Sequence, residues 1–421
     1  MVKKGYKQTD VGVIPEDWED KKLGELAKVC MCKRIFADQT AENGEIPFFK
    51  IGTFGKEADA YISRSLYEDF KHRFSYPQKG DVLISAAGTL GRSVIFDGKD
   101  AYFQDSNIVW LDIDKTKLCN EYLYHYYKVI QWASSEGSTI ARLYNGIICD
   151  THIALPKVDE QEQIAGALSE IDELISTLEK QVSKKKAIKQ GAMQELLTGK
   201  RRLPGFNGAW REVRLEDICS KITDGSHESP PESDVGYYMP SVKDMTSTGF
   251  DYSECKKISY ADFKKLERNG CRPDIGDVLI AKDGSILKYA FVQEQAETIV
   301  ILSSIAIVKP LINCVDSFFL AQYFRQQNFV EQVITNYKSG TGVPRIVLKG
   351  FKQIELFIPE SVAEQATIAK ILVDMDKEIA GLEKKLGKYR QVKQGMMQQL
   401  LTGKIRLTKD IEDSVQAEQV T

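Results

Sequence analysis

The sequence Glu-Gln-x-x-Ile-Ala at residues 160–165 recurs at residues 364–369, and Leu-Leu-Thr-Gly-Lys at 196–200 recurs at 400–404. Both recurrences have the same offset of 204 residues, with no gap between them. Ungapped self-similarity over this length identifies an internal duplication. The duplicated element therefore organises the chain, and the stretches that precede its two copies are candidates for a second pair of repeated regions.

Both copies of the duplicated element carry apolar residues at intervals of seven. The rows are Ile164, Ile171 and Leu178 in the first copy, and Ile368, Met375, Leu382 and Tyr389 in the second. A seven-residue apolar repeat over several heptads is typical of a coiled coil rather than of a helix lying on a globular core. Since neither copy contains proline, each predicts one long helix that ends at a glycine, Gly199 or Gly403.

Acidic residues lead each predicted helix, and basic residues follow. The carboxylates of residues 160–179 precede the lysines of residues 180–189, and the second helix mostly repeats this order. This order suits the helix macrodipole. A parallel pair would place acid beside acid, whereas an antiparallel pair would place acid beside base. The charges therefore predict an antiparallel pair, and two solvated helices with unrelated partners are the alternative.

The regions before the two helices also correspond, but with small insertions. Pro-x-x-Gly-Asp-Val-Leu-Ile at 77–84 returns at 273–280, and both copies predict a buried strand closed by a glycine-rich turn. We also predict a strand over residues 299–308 and helices over residues 121–131 and 318–333. The expected fold class is α+β, with two globular domains joined by two long helices that form an antiparallel coiled coil, as a pseudo-two-fold internal repeat. The predicted boundaries are 1–158 for the first domain, 159–202 for the first helix, 203–360 for the second domain, 361–407 for the second helix and 408–421 for an acidic tail.

The composition is that of a globular protein with almost balanced charge. The 421 residues include 57 Lys and Arg against 60 Asp and Glu, which gives a net charge of −3, and 43% of them are hydrophobic. This balance excludes a uniformly basic nucleic-acid coat protein but leaves room for a local basic patch. Because neither a signal peptide nor a membrane-spanning apolar run is evident, we expect a cytoplasmic protein without membrane contact.

Motifs for catalysis and metal binding are absent from the sequence. There is no Gly-x-x-x-x-Gly-Lys-Ser/Thr phosphate loop, no Asn/Asp-Pro-Pro-Tyr/Phe segment of an adenine methyltransferase, and no carboxylate–lysine series of a metal-dependent nuclease. The eight cysteines form no Cys-x-x-Cys and the four histidines are scattered, so we expect reduced thiols rather than a metal site. The prediction is a chain with no catalytic residues, no metal and no cofactor of its own.

Basic, hydroxyl and glycine residues recur together in loops of both globular regions. Arg and Lys can contact phosphates or guanine edges, Ser and Thr can contact either, and Gly lets the backbone approach a groove closely. Such loops alone are more often ordinary surface, so the duplicated architecture around them gives the pattern its weight. The candidate DNA-contacting residues are Lys50, Thr53, Lys56, Lys71, Arg73, Thr89, Arg92, Arg142, Ser226, His227, Lys243, Lys282, Ser285, Lys338, Thr341 and Arg345.

A variable region, a Glu-Gln-x-x-Ile-Ala helix ending in Leu-Leu-Thr-Gly-Lys, and a second such pair together resemble the specificity subunit of type I restriction–modification enzymes. The resemblance covers nearly the whole chain and is most specific at residues 160–203 and 364–407. It implies that the globular regions are target recognition domains, each reading one half of a bipartite site in double-stranded DNA. It also implies that the helices act as a ruler and, through their heptad rows, dock two methyltransferase subunits, which restriction and translocase subunits join. The subunit itself would be non-catalytic.

Two other interpretations remain open. One is a coiled-coil scaffold that binds partners without reading DNA, which the duplicated globular regions with unequal loops argue against. The other is the specificity part of a fused restriction enzyme, which the missing motifs and the length of the chain argue against. The two regions diverge over most of their length, so we expect an asymmetric target. The small net charge further predicts that partner subunits supply much of the phosphate contact.

Overall fold

The computed structural model describes residues 2–132, 142–339 and 343–407, and the chain divides into two compact units. Unit 1 comprises Met1–Leu178 and Lys385–Thr421, and unit 2 comprises Glu179–Lys384. Each unit combines one globular region with segments of both long helices. These units differ from the five linear segments proposed from the sequence, whose boundaries stay a prediction, and the expected acidic tail at 408–421 lies outside the described residues.

Unit 1 is built on a four-stranded antiparallel sheet of order β4-β10-β7-β8, with a β3–β11 pair, a β1–β2 hairpin and a three-stranded sheet of order β6-β5-β9. Its strands are β1 Tyr6–Thr9, β2 Gly12–Pro15, β3 Glu19–Lys22, β4 Ala27–Cys30, β5 Ile46–Phe49, β6 Tyr61–Ile62, β7 Val82–Ser85, β8 Ser93–Ile95, β9 Tyr102–Phe103, β10 Ile108–Ile113 and β11 His152–Leu155. Its short helices are α1 Leu23–Leu26, α2 Arg64–Arg73, α3 Asn120–Tyr126 and α4 Asn145–Asp150. The long helix α5, Val158–Leu196, begins in this unit and ends in unit 2.

Unit 2 repeats the central part of this plan. Its four-stranded antiparallel sheet has the order β13-β18-β16-β17, beside a β12–β19 pair and a β14–β15 pair. The strands are β12 Trp210–Arg214, β13 Cys219–Asp224, β14 Tyr237–Tyr238, β15 Lys257–Ile258, β16 Val278–Ala281, β17 Ala290–Val292, β18 Ile305–Pro310 and β19 Glu355–Pro359. The helices are α6 Tyr260–Arg268, α7 Ser317–Tyr323, α8 Gln327–Tyr337, α9 Leu348–Lys352 and the long α10, Val362–Leu400, which ends in unit 1.

An inner strand of each four-stranded sheet separates two apolar cores. Val82 and Ile84 of β7 face one core and Leu83 faces the other, as the two-residue period of a strand requires. The first core also contains Ile164 and Leu168 of α5. Unit 2 has the same arrangement, in which β16 shares a core with the first turns of α10. The globular regions are therefore seated on the long helices through continuous hydrophobic cores, and the α+β expectation is confirmed.

The two long helices, each of 39 residues, pack antiparallel within each unit. In unit 2, Lys189 of α5 pairs with Asp376 of α10 at 2.6 Å, and Lys186 pairs with Glu383 at 2.7 Å. Residue numbers thus rise along one helix as they fall along the other. In unit 1, Asp172 of α5 pairs with Lys393 of α10. Acid meets base throughout, so the antiparallel prediction is confirmed.

Three details of secondary structure differ from the sequence predictions. The strand expected over 299–308 begins only at Ile305, because residues 299–301 are buried as irregular chain that bonds to neighbouring segments. The helix expected over 318–333 is broken between α7 and α8, where Gln326 caps α8 by accepting from the amide of Phe329. The helix expected over 121–131 ends at Tyr126. Among the residues that the structure describes, none of the helices has the length and apolarity to cross a membrane.

Candidate nucleic-acid interface

Three loops of unit 1 meet, namely the turn between β7 and β8, the loop after β5 and the segment at Arg142. Arg92 in this turn donates from Nη1 to the carbonyl oxygen of Phe54 at 2.9 Å, which ties the turn to the loop after β5. Arg142 forms an isolated backbone bridge with Ala87 at the start of the same turn. Thr89, Arg142 and Lys56 are exposed. The structure thus brings together candidates that lie far apart in the sequence.

The loop after β5 is held by its own side chains. The Thr53 hydroxyl accepts from the Lys50 amide at 3.1 Å, and the amide of Ile51 donates to Gln104 Oε1 at 3.0 Å. The Lys50 ammonium pairs with Asp59 at 2.9 Å. Thr53 therefore shapes the turn, and Gln104 is a positioning residue that sequence reasoning missed because a lone glutamine carries no pattern.

Corresponding loops of unit 2 meet beside the turn between β16 and β17. Arg345 bridges through its backbone to Asp283 in this turn and also to Ser339, with N–O distances of 2.9 and 3.1 Å for the latter pair. Lys338 and Arg345 are exposed, and Ser285 is half-buried within the turn. The loop after β13 joins them, since the amide of Ser303 donates to the Ser226 carbonyl at 2.9 Å. His227, which follows Ser226, is exposed.

Two of the candidates in unit 2 point inward. Lys282 is only 5% exposed, and its ammonium pairs with Asp283 at 3.1 Å and with Asp224 at 3.4 Å. The Ser226 hydroxyl is buried and bonds to the backbone of Glu228 as both donor and acceptor. A buried ammonium is retained when it is paired. Both residues therefore hold the loops in place in this structure rather than present a polar group to solvent.

Lys71 and Arg73 lie on α2, away from the three loops of unit 1 in their contacts. Lys71 donates to the Tyr67 hydroxyl at 2.8 Å, which raises the pKa of its ammonium, and Arg73 pairs with Asp69 at 2.9 Å. In unit 2, Lys243 is exposed on a single helical turn whose Val242 amide donates to the Ser304 hydroxyl at 3.1 Å. Thr341 lies outside the described residues.

The two sheet turns share one backbone path but carry different side chains. Gly88 and Gly284 both have φ of 67°, and the later position has φ of 74° at Gly91 and 55° at Leu287. Leucine rarely adopts positive φ, and such strain is often found at functional sites. Leu287 is also 2% exposed, so burial stabilises the conformation. A common scaffold thus presents Thr89 in one unit and Ser285 in the other.

The Glu-Gln motif anchors the start of each long helix to its globular region. Gln161 accepts from the Cys119 amide at 2.8 Å and donates to the carbonyls of Lys117 and Pro156. Gln365 makes the equivalent bonds, accepting from the Asp316 amide at 2.8 Å and donating to the carbonyls of Cys314 and Pro359. Buried amides with every bond satisfied favour a unique arrangement. The glutamine of the motif therefore has a structural role, because it joins the start of each long helix to its globular region.

The preceding glutamate joins the helix start to the segment that follows the other long helix. In unit 1, Arg406 reaches Glu160 at 2.6 and 2.8 Å, and Trp18 donates to the same carboxylate at 3.0 Å. In unit 2, Arg202 reaches Glu364 at 2.8 and 2.9 Å. Bidentate guanidinium–carboxylate pairs are geometrically specific. Arg202 and Arg406 both stand two residues after Leu-Leu-Thr-Gly-Lys, and these contacts give that repeated arginine a structural role.

The heptad rows are buried to different degrees. Ile164, Ile171, Leu178 and Ile368 are buried, whereas Met375, Leu382 and Tyr389 are half-buried. Ile164 and Ile368 belong to the globular cores of their units, so these two residues pack each globular region against its helix. The remaining positions lie along the middle of the helices.

A cluster of Asp10, Asp20 and His152 in unit 1 was not expected from the sequence. His152 Nδ1 lies 2.6 Å from Asp20 Oδ1, and Nε2 lies 3.7 Å from Asp10 Oδ2. These ligand-type atoms lie within 4.8 Å of one another. One hydrogen bond between the imidazole and Asp20, and one from the Asp10 amide to the same carboxylate at 3.0 Å, account for the arrangement, which ties the β1–β2 hairpin to β3 and β11.

Comparison with known proteins is consistent across sequence and structure. The family model of the type I restriction modification DNA specificity domain matches residues 15–190 and 207–393. A Haemophilus influenzae protein named as a type I restriction enzyme specificity subunit is 53% identical, over 37% of this chain and 40% of that relative. A Methanocaldococcus jannaschii protein named as the MjaX specificity subunit of a type I restriction enzyme is 25% identical over 96% of this chain and 97% of its own length.

A solved structure matches the fold over almost the whole chain. The S subunit of the type I restriction–modification system of M. genitalium is 15% identical, has a TM-score of 0.61, and is matched over 94% of this chain and 97% of its own length. At this identity the likeness concerns the fold alone. The family match covers both globular regions and most of both long helices. The chain therefore belongs to the family of type I restriction–modification DNA specificity subunits.

Proposed function

We propose that the chain is the sequence-reading subunit of a type I restriction–modification complex and that it recognises a bipartite, asymmetric site in double-stranded DNA. Each globular region reads one half-site through the loops beside its β7–β8 or β16–β17 turn. The chain itself performs no chemistry and needs no cofactor. Methylation and cleavage belong to partner subunits.

The observation that carries the proposal is the convergence of corresponding loops in the two units on one shared scaffold. Exposed Thr89 and Arg142 of unit 1 have half-buried Ser285 and exposed Arg345 at the corresponding positions of unit 2. Exposed Lys56, on the loop after β5, and exposed Lys338, on the segment before Arg345, flank these positions. Arginine and lysine read guanine edges and bind phosphates, and serine and threonine contact either group. Because the side chains differ on the same backbone path, the two half-sites are expected to differ.

The long helices supply the second part of the proposed function. They set the gap between the half-sites, as the geometry of a dimer does in other DNA-reading proteins. Two methyltransferase subunits dock on them, one for each repeat, and restriction and translocase subunits join that core. The duplication of the framework contacts, from Gln161 to Gln365 and from Glu160 to Glu364, supports two equivalent docking positions.

Exchange of one globular region tests the division of labour. Residues 203–360 are replaced by the corresponding region of another specificity subunit, and the hybrid is assembled with the same methyltransferase subunits. Methylated adenines are then mapped by long-read sequencing. We expect one half-site to change, while the other half-site and the gap are retained. A change in both half-sites would contradict the proposal.

The unmodified complex provides the control for this experiment. We expect the assembled wild-type complex to methylate a single bipartite sequence and the chain alone to methylate none. Methylation without any sequence preference would instead favour a scaffold without DNA reading. Methylation by the purified chain alone would favour a fused enzyme.

A further inference from the structure

Two partly buried ionic clusters, one in each unit, join a globular region to both long helices. The unit-1 clamp consists of Asp172 on α5, Lys393 on α10, and His125 and Lys128 at the end of α3. The unit-2 clamp consists of Asp376 on α10, Lys189 on α5, and Gln322 and Arg325 at the end of α7. Each clamp lies wholly within its own unit. Each therefore connects three elements through one carboxylate.

The unit-2 clamp has the more complete set of bonds. Asp376 accepts from Lys189 at 2.6 Å, from Arg325 at 2.8 Å and from Gln322 at 2.8 Å. Lys189 is only 6% exposed. Burial raises the pKa of Asp376, but Arg325 and Lys189 outweigh it, so that the pKa lies below its ordinary value. The carboxylate is thus charged at neutral pH and accepts hydrogen bonds from all three partners.

The unit-1 clamp repeats the same plan with different neighbours. Lys393 bonds to Asp172, and Lys128 lies 3.5 Å from the same carboxylate. His125 replaces the glutamine, with Nδ1 4.0 Å from Asp172 and Nε2 3.1 Å from the Ser169 hydroxyl. Burial raises the pKa of Asp172, but Lys393 and Lys128 hold it below its ordinary value. The central pair is identical in the two units, and the pairs differ only in their outer partners.

Stability alone is a weak reason for these pairs. A buried ion pair gives little or no net stability over apolar residues of similar volume, but breaking one partner is costly. Neighbouring helix positions do change between the repeats, such as Ile171 to Met375 and Val182 to Leu386, and remain apolar. A buried polar residue among apolar ones is best known as a device that fixes helix register. Apolar residues along a helix pair still pack after one helix shifts by one turn. The same shift would separate the charges of a clamp.

We propose that the two clamps are positioning sites that fix the seat and register of each globular region on the long helices, and thereby the gap that the complex accepts between its half-sites. This inference rests on the proposed function. When a clamp is broken, its globular region can take more than one position along the long helices. The loops that read bases are untouched, so the half-site sequences stay the same while the gap becomes less strictly defined.

The test uses the complex assembled with methyltransferase subunits and a DNA library that holds both half-sites at varied gaps. The variants are Asp172→Asn and Asp376→Asn, which keep the shape of the side chain and remove its charge. We expect methylation at the best gap, relative to gaps one base pair longer or shorter, to fall by about tenfold. The half-site sequences are expected to stay unchanged. Asp376→Glu should restore part of the gap preference because it restores the charge.

A matched control lies on the same helices. Lys185 and Glu378 pair at 2.6 Å, but both side chains are more than 40% exposed, so Glu378→Gln should leave the gap preference unchanged. Where an asparagine variant does not assemble, Arg325→Met removes the charged partner at the end of α7, leaves the Gln322 bond to Asp376 in place, and should lower the gap preference in the same direction. An unchanged gap preference in assembled clamp variants overturns the clamp proposal alone. Absence of any half-site preference in the wild-type complex overturns the proposed function instead.

Discussion

The imidazole of His125 is a residue-scale feature with a measurable pH signature. Burial, together with the nearby Lys128 and Lys393, lowers the pKa of His125 to about 4, and Asp172 opposes this only in part. The unfolded chain takes up a proton below about pH 6.5, whereas the folded chain does not until about pH 4. The contribution of His125 to the free energy of unfolding is therefore fully present above pH 6.5 and decreases as the pH falls towards 4.

We expect the local stability around α3 to fall by about 2 kcal/mol between pH 6.5 and pH 5. His125→Gln, which introduces the residue that unit 2 carries at Gln322, should remove most of this dependence. Hydrogen exchange of α3 peptides at several pH values measures it, and α7 in the same sample is the internal control. An equal slope in the variant and the wild type would contradict the assignment to His125.

Arg142 and Arg73 offer a second residue-scale comparison within one unit. Both are exposed, but Arg142 lies beside the β7–β8 turn and Arg73 pairs with Asp69 on α2. Arg142→Gln keeps the backbone bridge to Ala87 and should reduce discrimination at one half-site by about tenfold, the effect of losing one good base contact. Arg73→Gln removes the same charge and should leave discrimination unchanged. Equal effects of the two substitutions on methylation specificity would place base reading elsewhere.

At this scale the sequence predicts residue types better than orientations. Lys282 and Ser226 fit the chemistry of DNA contact, but their side chains are buried, and only the tertiary structure places Asp224 against Lys282. Gln104 and Leu287 were not predicted because neither residue stands out in the sequence. A lone glutamine has no pattern, and a positive φ at leucine depends on burial rather than on local preference.

At the scale of elements, the long helices carry the clearest prediction. Residues 179–185 of α5 and 383–389 of α10 lie between the clamp residues on each helix. Deleting both heptads keeps the apolar period and all clamp pairs, and shortens each helix by about 10 Å. We expect the preferred gap between half-sites to change, by at most about 3 base pairs at 3.4 Å per base pair, while both half-sites are retained.

Methylation mapping of the deletion complex gives the result directly. Deleting a heptad from α5 alone is the control, because it takes the clamps out of register and should impair assembly instead. Altered half-sites with an unchanged gap would rule out the helices as the ruler.

Elements with a strong period were predicted well, and those set by tertiary contacts were not. The seven-residue repeat and the lack of proline fixed α5 and α10 almost to their ends, and the Val-Leu-Ile run located β7 and β16. The break between α7 and α8 escaped notice because its cap, Gln326, is an uncommon capping residue.

At the scale of the whole molecule, the small net charge predicts that this chain and its partner subunits share the contacts to DNA phosphates. Counterion release follows the number of phosphates that are neutralised, and a net charge of −3 leaves the chain no overall excess of Lys and Arg for this purpose. We expect the affinity of the isolated chain to depend weakly on salt, and that of the assembled complex to depend more steeply, by about 0.9 in the logarithmic slope for each added phosphate contact. Binding titrations at several salt concentrations compare the two, with nonspecific DNA as the control. Equal slopes would mean that this chain makes most of the phosphate contacts itself.

The strand pairs at the base of each globular region have a consequence for how such proteins diversify. Glu19 on β3 pairs with Leu155 on β11, and Trp210 on β12 pairs with Pro359 on β19, so the chain enters and leaves each region at neighbouring positions. A segment of this kind can be replaced whole, since the surrounding chain keeps its path. If each region reads one half-site, as proposed, replacement of an intact segment would change one half-site in a single step.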